Sequence, residues 1–356
     1  MYTTFEPVRY QNFSIRSQLL AEAANFGGWD LRDLAPEGQT PFWLLSHPGA
    51  AGGEPRIAWS MMHGNEPTGF EALLHLIRCG QPQCDWTLVP LVNPTGVDAF
   101  TRLTSEGIDL NRRARDQGPL ESDLLKSVLA SRSFKLALNL HDQRSLFCPN
   151  GQAIPSSLSV LAPRFINQGH ESFSEPAQAW AGTISSLMHE LEPNWGYARF
   201  DDAYYPTAFG EWTQELGVPT VTVETGVALE DYSRERVSLR LGEVLRRIDA
   251  ARSPQLEGIA HYQNLPLNAS WGVDLELRSG NQSSHWQVWE EVQGQSYSSG
   301  IAKAIPQGSG APVPYQTFNL LKREFDEIQA KDSWTSLELY AVSSTGLRSF
   351  AEALPK

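Results

Sequence analysis

The chain has 356 residues, of which 41% are hydrophobic and 19% are charged, and its formal net charge at pH 7 is −13. This composition is typical of a folded globular protein and not of a disordered chain, and the length is enough for one large domain and a smaller one. Because nucleic-acid backbones are bound by clustered Lys and Arg, the acidic balance and the lack of a dense basic stretch argue against a surface that binds nucleic acid.

The amino-terminal segment MYTTFEPVRYQNF has no basic start followed by an apolar core, so no secretory signal is expected. No run of about 18 apolar residues occurs, so no membrane span is expected either. The three cysteines, Cys79, Cys84 and Cys148, cannot all pair with one another. Free thiols in a reducing compartment, and hence a cytoplasmic location, are therefore the expectation.

Apolar periodicity predicts alternating helices and strands through residues 1–255. Helices are expected over 14–25, 67–77, 120–131, 179–191 and 237–251, and buried strands over 42–46, 57–62, 86–92, 134–140 and 218–223. Turn residues predict loops at 93–96, at 142–177 with a short helix, and at 200–210. Short apolar strands that alternate with helices are typical of an α/β protein with a largely parallel sheet covered on both faces.

The pattern changes after about residue 255. Short alternating strands are expected over 273–277 and 286–290, a loop over 308–314, and a helix through Phe318, Leu321, Phe325 and Ile328. A last strand over 334–342 is expected to turn at 344–346 into a hairpin. We interpret residues 256–356 as a smaller, mostly β accessory domain that follows a catalytic domain of residues 1–255.

Polar side chains that can bind a metal or act as a base follow three of the predicted buried strands. They are His63, His141 and Glu224, and in parallel sheets ligands bind outside the carboxyl ends of the strands. Glu66 comes three positions after His63, and imidazole nitrogen and carboxylate oxygen are ligands that zinc accepts. Taken alone this spacing is weak evidence, because a helix-start Glu beside an unrelated His gives the same pattern.

Further polar motifs occur in a distinctive order within residues 57–226. The full series is His63-Gly-Asn-Glu66, Asn93-Pro-Thr-Gly96, Arg102, Gly107-Ile-Asp-Leu-Asn111-Arg112, Asn139-Leu-His141 and Thr222-Val-Glu224. In type and order these motifs resemble the zinc carboxypeptidase family. The resemblance implies a mixed, largely parallel sheet flanked by helices, and one Zn²⁺ ion held by His63, Glu66 and His141 with a water at the open position.

The resemblance also implies roles for other residues. Glu224 corresponds to the general base that takes the proton of the water and returns it to the leaving amine; a strand-end Glu that caps a helix or pairs with an Arg is the alternative. Arg102 would stabilise the charge that develops on the carbonyl oxygen. Asn111 and Arg112 match the pair that holds the terminal carboxylate of the substrate, for which a guanidinium fork is suited, with a structural Arg as the alternative.

Three further substrate contacts are left open. The family places a mobile Tyr upstream of its catalytic Glu, and Tyr204 and Tyr205 both lie in that zone. Arg144, in the HDQR segment, is a candidate for touching the substrate, and Asp142 is a candidate for orienting His141. For the two tyrosines, the equal alternative to a substrate contact is an aromatic side chain packed in the loop. For Arg144 and Asp142, the equal alternative to a role in the site is a structural ion pair.

The predicted reaction is zinc-dependent hydrolysis of a peptide with release of its carboxyl-terminal amino acid. The segment between Glu66 and His141 is shorter than in digestive carboxypeptidases, which implies that loops shaping their pockets are missing. The HGNE motif before a β-rich extension is also similar to the aspartoacylase and succinylglutamate desuccinylase branch, so deacylation of an N-acyl amino acid is the first alternative. The Pro-Thr-Gly after Glu66 and the HDQR segment are more similar to bacterial carboxypeptidase-like proteins and favour a peptidase.

A non-catalytic binding protein of the same fold is a further hypothesis, which the complete set of ligands and base disfavours. In the catalytic hypotheses the substrate is a peptide or an N-acyl amino acid with a free carboxylate. The sequence predicts neither the preferred side chain nor the oligomeric state.

Overall fold

The computed structural model describes residues 10–201, 203–229, 231–268, 270–293, 296–303 and 313–319, together with 322, 326 and 333–335. Its helices are α1 (Phe13–Gly27), α2 (Thr68–Arg78), α3 (Pro94–Ala99), α4 (Leu120–Ala130), α5 (Glu175–Leu191), α6 (Phe209–Glu215), α7 (Glu235–Ala250) and α8 (Gly258–Asn264), with a 3₁₀ turn at Leu110–Arg112. Its strands are β1 (Asp30–Asp33), β2 (Trp43–His47), β3 (Pro55–Trp59), β4 (Asp85–Val89), β5 (Leu136–Asp142), β6 (Phe147–Cys148), β7 (Ser156–Leu161), β8 (Phe165–Asn167), β9 (His170–Ser172), β10 (Gly196–Arg199), β11 (Thr220–Thr225), β12 (Ser270–Ser279), β13 (Gln282–Gln293), β14 (Ser296–Lys303), β15 (Val313–Asn319) and β16 (Ser333–Thr335).

The larger sheet has eight strands within the described ranges, in the order β1-β2-β4-β3-β5-β11-β7-β10. Strands β4, β3, β5 and β11 are parallel neighbours, and β10 is parallel to β7. The pairs β1 with β2, β2 with β4 and β7 with β11 are antiparallel. The prediction of a mixed, largely parallel sheet in an α/β fold is confirmed.

The sheet is buried on both faces because its central strands are apolar on both sides. All residues of β5 are buried. In β3, Ala58 belongs to the core beneath α1, α2, α5 and α7, whereas Ile57 and Trp59 belong to the core beneath α4 and α6. This alternation follows from the two-residue period of a strand. Because helices cover both faces of the sheet, polar side chains can lie close together at the carboxyl ends of β3, β5 and β11.

Two loop predictions in the first 255 residues were wrong. The 93–96 segment begins α3, because Asn93 caps the helix and Pro94 occupies its first turn, where proline is favoured. The 142–177 segment contains β7, a buried member of the main sheet. Pro155 and Pro163 flank this strand and do not interrupt it, so the prolines marked the limits of a short strand. Among the described residues of the third predicted loop, 200–210, only the last two are helical.

A second sheet follows the first in sequence. Its described strands have the order β15-β12-β13-β14-β16, and β6 pairs with β12. The strands predicted over 273–277 and 286–290 are confirmed within β12 and β13. Phe318 lies in β15 and not in a helix, and residues 313 and 314 begin that strand. The rest of the predicted loop at 308–312, most of the predicted helix up to 328, the strand beyond 335 and the turn at 344–346 lie outside the described residues. The domain boundary at 255 stays a prediction.

The cysteines are free, as expected, with Cys79 exposed and Cys84 and Cys148 buried. No helix in the described part of the chain is both long enough and apolar enough to cross a membrane. The cytoplasmic location stays a prediction.

Candidate metal centre

The HGNE motif forms a tight loop that joins β3 to α2. Met61 has a φ of 50°, in the left-handed region that residues other than glycine rarely adopt. A Cβ on Gly64 would lie 1.8 Å from the carbonyl carbon of Gly96, so the backbones approach too closely for any side chain. The loop holds His63 and Glu66 inside the protein, where they are 2% and 3% exposed.

Asn93 connects this loop to the Asn-Pro-Thr-Gly motif. Its Oδ1 accepts a hydrogen bond from the amide of Gly96 at 2.9 Å. Its Nδ2 donates to the carbonyl oxygens of Met62 at 3.3 Å and of Arg102 at 3.4 Å. One buried side chain thus joins the ligand loop to the segment that carries Arg102.

His141 lies near the end of β5, and the next residue fixes that end to its neighbours. Asp142 accepts hydrogen bonds from the amide of Thr68 at 3.2 Å and from its hydroxyl at 2.8 Å. Its other oxygen accepts one from the hydroxyl of Thr225 at 2.5 Å. Asp142 therefore connects the start of α2 and the end of β11 to β5 through hydrogen bonds. Its side chain has a structural role and does not orient the His141 ring.

The three predicted metal ligands converge. Their ligand atoms lie within 4.8 Å of one another. The Nδ1 of His63 is 2.8 Å from Oε1 of Glu66 and 3.1 Å from Nδ1 of His141, which is itself 2.8 Å from Oε2 of Glu66. Two ring nitrogens that face each other beside a carboxylate require a proton or a cation between them, because two lone pairs repel.

The electrostatics of this cluster favour a positive charge at its centre. Although burial disfavours the imidazolium, the charge of Glu66 and hydrogen bonds with Asp109 and Glu66 raise the pKa of His63 to about 9. Burial opposes ionisation of Glu66, but the charges of the two imidazoles hold its pKa below the usual range. Burial lowers the pKa of His141. The donor set fits a divalent cation, which would displace the proton that His63 otherwise carries.

Asp109 is a site residue that the sequence analysis did not assign. Its Oδ1 lies 3.2 Å from Nε2 of His63, and its Oδ2 accepts hydrogen bonds from Nε and Nη2 of Arg102 at 3.0 and 2.9 Å. A carboxylate on the outer nitrogen of a metal-binding His fixes the orientation of the ring. The sequence signal for Asp109 is its position two residues before Asn111 in the Gly107-Ile-Asp-Leu-Asn111-Arg112 motif.

Arg102 lies at the rim of the cluster. Its side chain is 44% exposed, and its Nη1 is 3.3 Å from Nδ1 of His63 and 3.8 Å from Oε1 of Glu66. The pair with Asp109 holds the guanidinium in this position, from which it can meet the oxygen of a bound carbonyl.

Glu224 lies in β11 directly opposite His141 in the parallel register. Residues paired in adjacent strands direct their side chains to the same face of the sheet, so the Glu224 carboxyl lies on the same face as the His141 ring. Burial and the charge of Glu66 raise its pKa well above the ordinary value. Its backbone carbonyl accepts a bond from Nε2 of Gln143 at 3.1 Å, but no described residue donates to its carboxyl. The alternative of a capping or Arg-paired Glu has no supporting contact among these residues.

Asn111 and Arg112 lie against the segment that leads into α6. The Oδ1 of Asn111 accepts a hydrogen bond from the amide of Phe209 at 3.1 Å, so this side chain is engaged by the protein. The guanidinium carbon of Arg112 lies 5.6 Å from the ring centre of Tyr205. Arg112 is exposed and Tyr205 is 54% exposed, so both can reach a ligand.

The two tyrosines differ in their contacts. The hydroxyl of Tyr204 donates to Glu215 at 2.7 Å and accepts from Nη2 of Arg115 at 3.0 Å. Arg115 also forms an ion pair with Glu215. These hydrogen bonds hold Tyr204 within the loop, whereas the ring of Tyr205 faces Arg112.

Arg144 packs over the ring of Phe100 at 5.5 Å. Its charge is one of those that oppose the rise in the pKa of Asp142 caused by burial. The contact with Phe100 is structural, whereas both the ion pair and a contact between Arg144 and substrate stay predictions.

Comparisons with known proteins agree on the fold. No protein-family model matches the chain, and no curated protein matches it. Among solved structures, a candidate metallopeptidase from Shewanella denitrificans matches with a TM-score of 0.50 and 20% identity, over 68% of this chain and 91% of that one. A metallo-carboxypeptidase from Burkholderia cenocepacia matches with a TM-score of 0.52 and 15% identity, over 67% and 68% of the two chains. Carboxypeptidase A from Helicoverpa armigera matches with a TM-score of 0.50 and 15% identity, over 70% and 75%. The chain has the fold of these metallopeptidases and carboxypeptidases.

Proposed function

We propose that the protein is a zinc-dependent hydrolase that releases the carboxyl-terminal amino acid from a peptide. The observation that carries this proposal is the convergence of His63, Glu66 and His141 within 4.8 Å, with Glu224 opposite His141 in the neighbouring strand. Two imidazoles and one carboxylate leave a fourth position open, which is the ligand pattern of a catalytic zinc site. Bound there, zinc would lower the pKa of a water and polarise the scissile carbonyl.

Glu224 is the general base of this proposal. Its carboxyl is free of donors among the described residues, so it can accept the proton of a water at the open position. It takes the proton of the attacking water and delivers it to the leaving amine. Arg102, held by Asp109, stabilises the negative charge on the carbonyl oxygen.

Arg112 and Tyr205 form the carboxylate-binding end. A guanidinium offers two parallel donors to a carboxylate, and Arg112 is exposed beside the Tyr205 ring. Asn111 contributes chiefly by holding the amide of Phe209 and so the position of this segment. This arrangement supports an exopeptidase, because a free carboxylate held by Arg112 would select the terminal bond of the substrate for hydrolysis.

The substrate class is tested by incubating the zinc-loaded protein with short peptides and, separately, with N-acetyl and N-succinyl amino acids. Release of carboxyl-terminal residues from the peptides is expected. Turnover confined to the N-acyl amino acids would replace the peptidase with the deacylase alternative, and no turnover of either would leave the binding-protein hypothesis.

The base is tested by Glu224→Gln. We expect the rate to fall by about 10³-fold or more while the zinc content stays the same. Metal analysis and single-turnover rates measure the two effects separately. A variant that keeps both zinc and full rate would remove Glu224 from the mechanism.

A further inference from the structure

Gln143 is a buried polar residue that the proposed mechanism does not use. It follows Asp142 at the end of β5 and is 4% exposed. Its Nε2 donates hydrogen bonds to the backbone carbonyl of Glu224 and to the hydroxyl of Ser159, both at 3.1 Å. Its Oε1 accepts a hydrogen bond from Nδ2 of Asn268 at 3.0 Å. The side-chain amide therefore uses both of its donors and its acceptor within the protein.

The orientation of this amide is determined by its partners. The backbone carbonyl of Glu224 can only accept a hydrogen bond, so the NH₂ group of Gln143 must face it. The oxygen of Gln143 then faces Asn268, which must present its own NH₂ group. Asn268 does so because its Oδ1 accepts the hydroxyl of Ser156 at 2.9 Å. Each of the two buried amides is thus held in one orientation.

Asn268 belongs to the segment that leads into the second sheet. It lies two residues before β12, the strand that pairs with β13 and β15, and is 8% exposed. Its backbone amide donates to the carbonyl of Arg199, at the end of β10, at 2.8 Å. The start of the second sheet is therefore joined by buried hydrogen bonds to β10 of the larger sheet and to Gln143.

The direction of the Glu224 carboxyl depends on the backbone on either side of it. Glu224 is the next-to-last residue of β11, and no described residue donates to its carboxyl. The side chain of Gln143 holds the carbonyl of Glu224, and the backbone amide of Gln143 donates to the carbonyl of Thr225 at 2.7 Å. One residue thus fixes two successive peptide groups at the end of the strand.

We propose that Gln143 is a positioning residue for Glu224, and that Asn268 determines the orientation of the Gln143 amide. The carboxyl of Glu224 is directed to the open position of the metal centre only when both amides are in place. The segment that begins the second sheet therefore takes part in placing the base. This inference rests on the role of Glu224 in the proposed function.

The first test is Gln143→Met, which keeps the length of the side chain and removes both donors. We expect kcat for a short peptide to fall by about 10- to 100-fold, because a displacement of about 1 Å in a reacting group costs up to that factor. KM should stay within about threefold and the zinc content should be unchanged. Gln178→Met, which removes a buried amide bonded to Gln263, is the control that should keep kcat.

The second test is Asn268→Leu, which leaves Gln143 in place but removes the donor that orients it. We expect kcat to fall by about tenfold, with KM and zinc content again unchanged. The double variant should be no slower than Gln143→Met alone, because Asn268 acts only through Gln143. Multiplied losses in the double variant, an unchanged kcat in Gln143→Met, or a loss of zinc in either single variant would overturn the inference.

Hydrogen exchange followed by mass spectrometry tests the anchoring without turnover. Amides of residues 222–227 should exchange faster in both single variants than in wild type, whereas those of 55–59 in β3 should not change. Equal exchange at 222–227, or faster exchange at both segments, would overturn the inference. If zinc-loaded wild type hydrolyses no peptide, the proposed function fails, and the anchoring of the Glu224 segment is decided by these exchange rates alone.

Discussion

The two halves of the candidate site are built in different ways. The metal cluster of His63, Glu66 and His141 is 2%, 3% and 2% exposed and lies on strand ends and a tight loop. The proposed carboxylate-binding end consists of Arg112 and Tyr205, both exposed side chains on a turn and a loop. The positions of the residues in the first half are determined by the backbone, whereas the positions in the second half depend on contacts between side chains.

This difference implies different responses to substitution. In the proposed mechanism, a change in the candidate metal cluster would remove the metal and with it every later step. A change at the proposed carboxylate-binding end would alter the affinity for the ligand and leave the metal in place. Substitutions that separate metal content from ligand affinity therefore test whether the two halves are independent.

The largest effect is expected from His141→Ala. Loss of one of three protein ligands should reduce the zinc content to well below one per chain and lower the rate by more than about 10³-fold. Metal analysis after dialysis and rates of peptide hydrolysis provide the two measurements. His170→Ala, an exposed His in β9, is the control that should keep both. Full zinc content in His141→Ala would exclude this residue as a ligand.

Asp109→Asn should have the next largest effect. The change weakens the contact of residue 109 with Nε2 of His63. Loss of such a contact to a metal-binding His typically lowers metal affinity by about 10 to 100-fold. Competition with a chelator measures the affinity. Asp116→Asn, which removes a nearby exposed carboxylate paired with Arg113, should leave it unchanged. An unchanged affinity in Asp109→Asn would show that its contact with His63 is incidental.

Arg112→Lys tests the other half. Lysine keeps the charge but loses the two parallel donors, so KM should rise by about 10-fold, with kcat within about threefold and zinc content unchanged. Steady-state kinetics with a short peptide separate the two constants. Arg113→Lys, the adjacent half-exposed residue, serves as the control. A fall in zinc content in Arg112→Lys would contradict the independence of the two halves.

The smallest effect expected is a change in the pH dependence of stability in Glu211→Gln. Burial raises the pKa of Glu211, in α6, from 4.5 to about 7, so between these values the folded state binds more protons than the unfolded state. Ionisation therefore costs the folded protein about 3 kcal/mol of stability as pH rises through this window. The variant should lose less stability than wild type from about pH 5 to about pH 8. Denaturant unfolding at both pH values measures this, and Glu243→Gln, which removes a carboxylate paired with Arg246 on α7, is expected to behave as wild type.

The metal cluster was predictable because its signals are local. Apolar runs predicted buried strands, parallel strands bring their carboxyl ends to one edge, and His63, His141 and Glu224 occur at those ends. The order of the motifs then supplied the resemblance and the role of each residue. The structure brings these residues together as expected, and the solved structures agree on the fold.

Other features were not predictable because they depend on how distant segments meet. Asp109 was visible in a quoted motif, but its bond to His63 exists only because the 101–113 segment folds back over the cluster. Glu211 looks like an ordinary first-turn helical Glu, and only its burial beside Tyr205 distinguishes it. The strand β7 was missed because flanking prolines resemble a loop, although a six-residue strand fits between them.

The bonds of Asp142 to Thr68 and Thr225 make the spacing of three segments depend on one buried carboxylate. Thr68 follows Glu66 by two residues, Asp142 follows His141 directly, and Thr225 follows Glu224 directly. Removal of this carboxylate would therefore shift the candidate ligands and the candidate base relative to one another, although Asp142 itself binds neither metal nor substrate in the proposed mechanism.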